Sequence, residues 1–309
     1  MGVNMIPLGG GVTDYDLNLY NSTSSGRPVT EPLGVDFLLG QINTSLAYAI
    51  NKQNTIGASL IINISRFNLY GVGIFDTFTQ TQTADNLTDN GYDWSFGAGV
   101  RVGWFGKFNS DKLLLGAVYQ SRVYTQNYNR YTEAFPESGD LDMPANIGLG
   151  VAYKFTPKFA VGLDITHTFY EDVNGFGNRG PNVTGPPLGS EDRRLGLPNG
   201  MSFGWSDQTV FKIGADYSLN ERWDLRAGWN YAESPIDERT EIIFNILAPA
   251  TTQNHLTLGA TFHFDKQAEL NFSYVHAYEY RQFGPTYIGN QGEISMSQDS
   301  LGVGFSYSY

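Results

Sequence analysis

The sequence has no cysteine in 309 residues, which excludes a disulfide framework and any thiolate metal site. No stretch approaches 18 consecutive apolar residues, so no transmembrane helix is encoded. Charge is also scarce, at 16 % of residues, and the balance is −12. Phosphate recognition needs clustered Lys and Arg, so nucleic acid is excluded as a partner. A secretory signal is not visible at the start, where the first basic residue is Arg27. A soluble domain this poor in charge would carry a more apolar average. Here only 41 % of residues are hydrophobic and the mean hydropathy is −0.28. A barrel in lipid resolves the mismatch, because an apolar outside and a polar inside average to a middling value. The 20 Phe, 19 Tyr and 5 Trp fit aromatic girdles at two membrane interfaces.

What is present is period-two alternation. Leu301, Val303, Phe305, Tyr307 and Tyr309 fall on one face of the last strand, and Gly302, Gly304, Ser306 and Ser308 on the other. Ile147, Leu149, Val151, Tyr153 and Phe155 repeat the pattern, with Gly148, Gly150 and Lys154 opposite. So do Leu256–Phe264 and Phe211–Leu219. Large apolar residues opposite small or polar ones suit a lipid-facing wall around a crowded lumen. A soluble β-sandwich would also alternate.

Connection lengths separate the two. Short turns near 51–54, 106–111, 156–157, 220–221 and 265–267 alternate with long polar stretches. The long ones lie near 9–34, 71–92, 127–140, 171–205, 233–250 and 282–298. Short connections on one rim and long ones on the other are the asymmetry of outer-membrane barrels. The expected fold is therefore an all-β transmembrane antiparallel barrel, with about twelve strands between residues 2–8 and 297–309.

Several segments resemble the outer-membrane long-chain fatty acid transporter family, which includes transporters of aromatic hydrocarbons. The pair Leu141–Tyr170 is similar to its Pro-led hairpin, and Gly204–Ile236 carries the most specific match, a Trp and Asp leading into a strand, then an Arg-Ala-Gly strand ending in Ser-Pro. Ile246–Phe264 and Glu269–Tyr280 continue in family order, and Gly9–Tyr15 (GGGVTDY) looks like the loop above its third strand. The resemblance implies fourteen strands, a signal and an N-terminal plug with an Asn-Pro-Ala motif; no Asn-Pro pair occurs here. The chain, residues 1–309, is thus expected to be an N-terminally truncated barrel lacking signal, plug and first two strands. A full ladder between 3–8 and 301–309 would contradict this.

The resemblance also implies the site. Phe75, Phe78 and Leu87 in one long loop, and Tyr131 and Phe135 in another, would form an outer groove that captures an amphipathic ligand. Packing of the loops on each other is the plain alternative. By parity Arg101, Lys154, Asp164, Lys212, Asp216 and Arg226 face the lumen, where Arg101 and Arg226 could receive a carboxylate; an internal salt-bridge ladder is the alternative. Gly9, Gly10 and Gly11 would flank a lateral opening in the wall. The acidic loop residues Asp85, Asp89, Glu133, Glu137, Glu191 and Asp192 read as solvated faces.

Other chemistries find no support. Gly9–Gly11 lacks the Lys and strand–loop–helix context of a phosphate loop. The histidines His167, His255, His263 and His276 lack metal-ligand spacing. No Ser is coupled to a His in a local hydrolase motif. The expectation is a monomeric, cofactor-free, metal-free and non-enzymatic outer-membrane protein of a Gram-negative cell. It would import long-chain fatty acids or other hydrophobic molecules passively, from loops to lumen to a lateral exit. Its other expected partners are outer-membrane lipid, lipopolysaccharide and the barrel insertion machinery. A general porin and a barrel enzyme are the alternatives.

Overall fold

The computed structural model describes residues 1–20, 31–181, 193–237, 242–285 and 291–308. Its strands are β1 (Gly2–Tyr15), β2 (Leu33–Ala49), β3 (Asn54–Tyr70), β4 (Asp93–Phe108), β5 (Leu113–Gln120), β6 (Tyr124–Thr125), β7 (Asn146–Thr156), β8 (Phe159–Thr168), β9 (Gln208–Ser218), β10 (Trp223–Ala232), β11 (Asn254–His263), β12 (Ala268–Pro285) and β13 (Gln291–Tyr307). All belong to one antiparallel sheet in chain order, with β6 pairing β4 beside β5. β5 and β6 are two halves of one crossing, so the sheet makes twelve crossings. Among the described residues no ladder joins β1 to β13. Tyr309 lies outside the described residues, as do Glu191 and Asp192.

Three boundaries differ from the sequence reading. β1 continues to Tyr15, because Gly9, Gly10 and Gly11 pair with Leu39, Leu38 and Phe37 after a bulge at Leu8. Pairing overrides the low strand propensity of the glycines. Gly9–Tyr15 is therefore strand, not loop. β12 and β13 extend through Pro285 and from Gln291, beyond the point where apolar alternation ends. Their polar outer ends are held by the ladder itself and by Arg281 donating to Glu293 at 2.8 Å.

Facing follows parity. Leu149, Val151, Leu258, Val303 and Phe305 are exposed, and among the described residues no second sheet covers them. Phe262 lies on the same face against Trp223, ring centres 4.9 Å apart. Exposed aliphatic rows of this extent need lipid. Polar clusters fix the outer edge of the apolar band. Asp36 accepts from Arg66 at 3.0 Å and from Tyr92 at 2.8 Å, and Asp299 accepts from Tyr274 at 2.6 Å and meets His276 at 2.8 Å. Below Asp36, the outward run Leu38–Tyr48 is ~33 Å long at ~3.3 Å per residue. At the ~40° tilt of barrel strands it stands about 25 Å tall, one hydrocarbon thickness.

The lumen face is built small. Gly162, Gly214 and Gly228 are successive cross-strand partners on β8, β9 and β10. Gly57 pairs with Gly103, and Gly116 with Gly150.

Candidate functional site

The site sits at the outer mouth, where the long connections fold inward over the ends of β2 and β3. The inward row of β3 changes character along its length, from Gly57 and Ser59 to Ile61, Asn63 and Ser65, then to Phe67 and Leu69. Phe67 and Leu69 follow the boundary residue Arg66 on the opposite face, so their apolar side chains stand at the outer edge of the bilayer. The loops meet them there. Phe67 packs against Tyr131 and Phe135, both with ring centres 4.9 Å away. Tyr128 shares a 2.5 Å hydrogen bond with Ser65, and Tyr131 donates to Gly91 O at 2.5 Å while accepting from the Leu69 amide.

A cavity remains inside this cluster, lined among others by Tyr20, Phe67, Phe75, Leu87, Phe135 and Phe244. Its free space is about 560 Å³, counted with the part open to solvent. Its described lining is almost wholly apolar. Ser202 is its one hydroxyl-bearing wall residue besides Tyr20, and both hydroxyls are already committed to carbonyls, those of Gly175 and Ile243. Among the described residues no charged side chain lines it. A ligand thus gains contact area but no hydrogen bond or ion pair there.

The structure brings the five loop residues together and buries them rather than displaying a groove. Phe75, Leu87, Tyr131 and Phe135 are at most 4 % exposed, and Phe78 packs behind Phe75 with ring centres 6.4 Å apart. Phe75, Leu87 and Phe135 line the cavity; Tyr131 supports it from behind Phe67. Sequence reasoning missed Tyr20, Leu195, Ser202, Phe203, Phe244 and Leu247. The signal for the last two was the apolar run Ile242–Leu247 within an otherwise polar connection. That run forms a short helical turn, Ile242–Asn245, and Phe244 meets Phe75 edge to face at 5.3 Å.

At the foot of the loop before β7, Arg122 gathers two carboxylates. It donates to Asp142 at 2.6 Å and Asp140 at 3.4 Å, and to the Asp172 carbonyl at 3.1 Å. Burial, with the neighbouring Asp142 carboxylate next, raises the Asp140 pKa to about 7. Leu141, between the two, is part of the core under the cavity.

The two lumen arginines differ. Arg226 is paired with Asp216 at 2.8 Å and donates to Thr261 at 2.7 Å. Arg101 meets only neutral acceptors among the described residues, Gln120 at 2.5 Å and Gln41 at 3.2 Å. It shares a lumen cavity with Asp164 and Lys212, on β8 and β9. Gly9, Gly10 and Gly11 pair with β2, and among the described residues β1 has no second partner strand.

Twelve antiparallel crossings, lipid-facing rows and inward-folded aromatic loops over an apolar cavity coincide with one family pattern. The family model for the outer membrane protein transport protein (OMPP1/FadL/TodX) matches residues 12–282. The chain belongs to this family. It is an outer-membrane β-barrel protein that transports hydrophobic compounds and is not an enzyme. Solved structures with the same fold include the P. putida toluene transporter TodX, with 19 % identity and a TM-score of 0.67 over 99 % of this chain and 78 % of that one. A FadL homologue of Pseudomonas aeruginosa gives 14 % identity and a TM-score of 0.64, covering 99 % and 74 %. The Ralstonia pickettii toluene transporter TbuX gives 18 % and 0.62, covering 99 % and 77 %. No curated protein matches.

Proposed function

We propose that this member of the family takes up long-chain fatty acids or similar amphipathic molecules by passive diffusion, with first capture in the cavity beneath the loops. The observation that carries this reading is the apolar cavity at the outer membrane edge, walled by Phe75, Leu87 and Phe135. An acyl chain or ring enters there by burial alone, worth roughly 25 cal/mol per Å² removed from water. The tail's carboxylate finds no partner in the cavity, so the charged end is received deeper, at Arg101, which holds no carboxylate of its own among the described residues. Arg226 is already neutralised by Asp216 and serves as wall. The exit is sideways through the wall beside Gly9–Gly11.

The test is uptake of radiolabelled oleate by cells lacking their own transporter. Phe75→Trp should fill the cavity and reduce uptake at low ligand concentration, at equal surface expression. Arg101→Gln should weaken oleate uptake while leaving an uncharged hydrocarbon of equal length unaffected. Unchanged oleate uptake in both variants would overturn the reading. Large open channels in planar bilayers would favour a general porin instead.

A further inference from the structure

Of the seven lysines, six (Lys52, Lys107, Lys112, Lys154, Lys158 and Lys266) lie in or directly beside the tight turns, and none lies in a long connection. Arg222 occupies the remaining turn, so every tight turn carries a cation: Lys52 between β2 and β3, Lys112 between β4 and β5, Lys158 between β7 and β8, Arg222 between β9 and β10, Lys266 between β11 and β12. Turn chemistry presents them outward. Asn51 Oδ1 accepts from the amides of Gln53 and Asn54, Asn220 Oδ1 from Arg222 and Trp223, and Asp265 Oδ1 from Gln267 and Ala268. Each such closure turns the short polar side chain back onto the backbone and leaves the neighbouring cation in solvent. All five turn cations are exposed, and none is ion-paired with a described residue. On the opposite rim Arg66, Arg122 and Arg281 are each bound to a carboxylate.

The acidic residues of the tight turns are fewer, Asp111, Glu221 and Asp265, and the last is occupied by two backbone amides. Aromatic side chains stand at the same level, among them Trp104, Phe155, Phe159, Trp223 and Phe264. Lys107 lies 5.9 Å over the Phe105 ring. A ring of cations with aromatics just above it matches a layer of negatively charged headgroups under hydrocarbon. The cations are spread one per hairpin around the perimeter rather than clustered. That spacing suits a row of separate headgroups and does not suit one multivalent acidic ligand.

We propose that the tight-turn rim binds anionic phospholipid of the periplasmic leaflet, each turn holding a headgroup phosphate with its Lys or Arg. The experiment embeds the protein in nanodiscs of mixed phosphatidylglycerol and phosphatidylcholine and measures retained lipid by native mass spectrometry. Wild type should enrich phosphatidylglycerol about fivefold per held lipid, the ratio that corresponds to ~1 kcal/mol per cation. The combined variant K52Q/K112Q/K158Q/R222Q/K266Q should lose that enrichment while keeping its heat-dependent gel shift, the sign of a folded barrel. Arg281→Gln with Glu293→Gln, on the other rim, should leave it unchanged. Equal enrichment in wild type and the turn variant would overturn the proposal, and so would no phosphatidylglycerol preference in wild type. Salt-sensitive capture of an acidic soluble peptide without lipid preference would overturn it as well.

Discussion

The hydroxyl of Tyr20 donates to the carbonyl of Ile243 at 2.8 Å, joining two points 223 residues apart. Tyr15 does the same to Ile246 at 2.7 Å, and Thr13 to Leu247 at 2.9 Å. Three hydroxyls at the end of β1 therefore tie down the turn that carries Phe244 and Leu247 into the cavity. The link runs across the mouth, from the connection after β10 to the edge strand.

Tyr20→Phe should leave the Ile243 carbonyl buried without a donor, at a cost of about 1–3 kcal/mol. Faster deuterium exchange in peptides covering 242–250 is the expected readout. Burial pushes the Tyr20 hydroxyl far above its ordinary pKa, so wild-type exchange there, corrected for its intrinsic rate, should not change between pH 7 and 9. Unaltered exchange in the variant would show that packing of Phe244 alone holds the turn.

Phe135→Ala should be costly, because Phe135 is 4 % exposed and touches Phe67 and Tyr128. The expected loss is about 3–5 kcal/mol, read as a lower melting temperature of the loop cluster in detergent. Phe78→Ala should cost less than Phe135→Ala, since Phe78 packs on the outside of the cluster.

Leu258→Arg should destabilise the barrel by less than the ~2–4 kcal/mol that Arg costs at the bilayer midplane, because Leu258 lies two residues inside the outer boundary. Leu258 is exposed on the outward face, and its β12 partner Tyr274 marks the approach to the outer boundary. Urea-dependent refolding into lipid vesicles measures the difference. A cost near zero would place Leu258 at the interface.

Asp140 supplies a pH dependence. Its pKa in the folded loop, about 7, is above the ordinary carboxylate value, because burial and Asp142 disfavour the charge. The folded loop then holds a proton that the unfolded loop has released, between about pH 4 and 7. Stability should therefore fall as pH rises through that window and level off above it. Deuterium exchange over residues 126–145, corrected for its intrinsic rate, should show less protection at pH 8 than at pH 5. Asp140→Asn should remove most of that dependence, and a wild-type profile flat in pH would refute it. Arg122, Asp142 and Glu137 are the charged groups facing Asp140.

Much of the wall was legible in the sequence because lipid enforces a strict period. Leu149, Val151 and Leu258 have to alternate with small or polar residues wherever one face meets hydrocarbon. That rule stops at the headgroups. β12 and β13 run on through Tyr280–Pro285 and Gln291–Gln298, where the outer face is wet, the inner face meets Ile236 and Ile242 of another connection through Gln282 and Ile294, and the composition reads as loop. Gly9–Gly11 misled for the opposite reason, since their strand geometry is imposed by β2 rather than by their own preference. The loop aromatics were identified, but not their burial. Nothing in the local sequence of Phe75 or Phe135 reports that Phe67, from β3, and Phe244, from the far connection, will cover them.

The glycine belt of the lumen has a mechanical consequence. Where Gly162, Gly214 and Gly228 lie side by side, the bore is set by main chain, and no rotamer is there to swing. That patch of wall can be neither raised nor lowered by a side-chain flip, because the ladders fix its backbone. Side-chain control of passage then falls to the charged neighbours of the patch, Asp164, Lys212, Asp216 and Arg226, and to the aromatic cluster of the mouth.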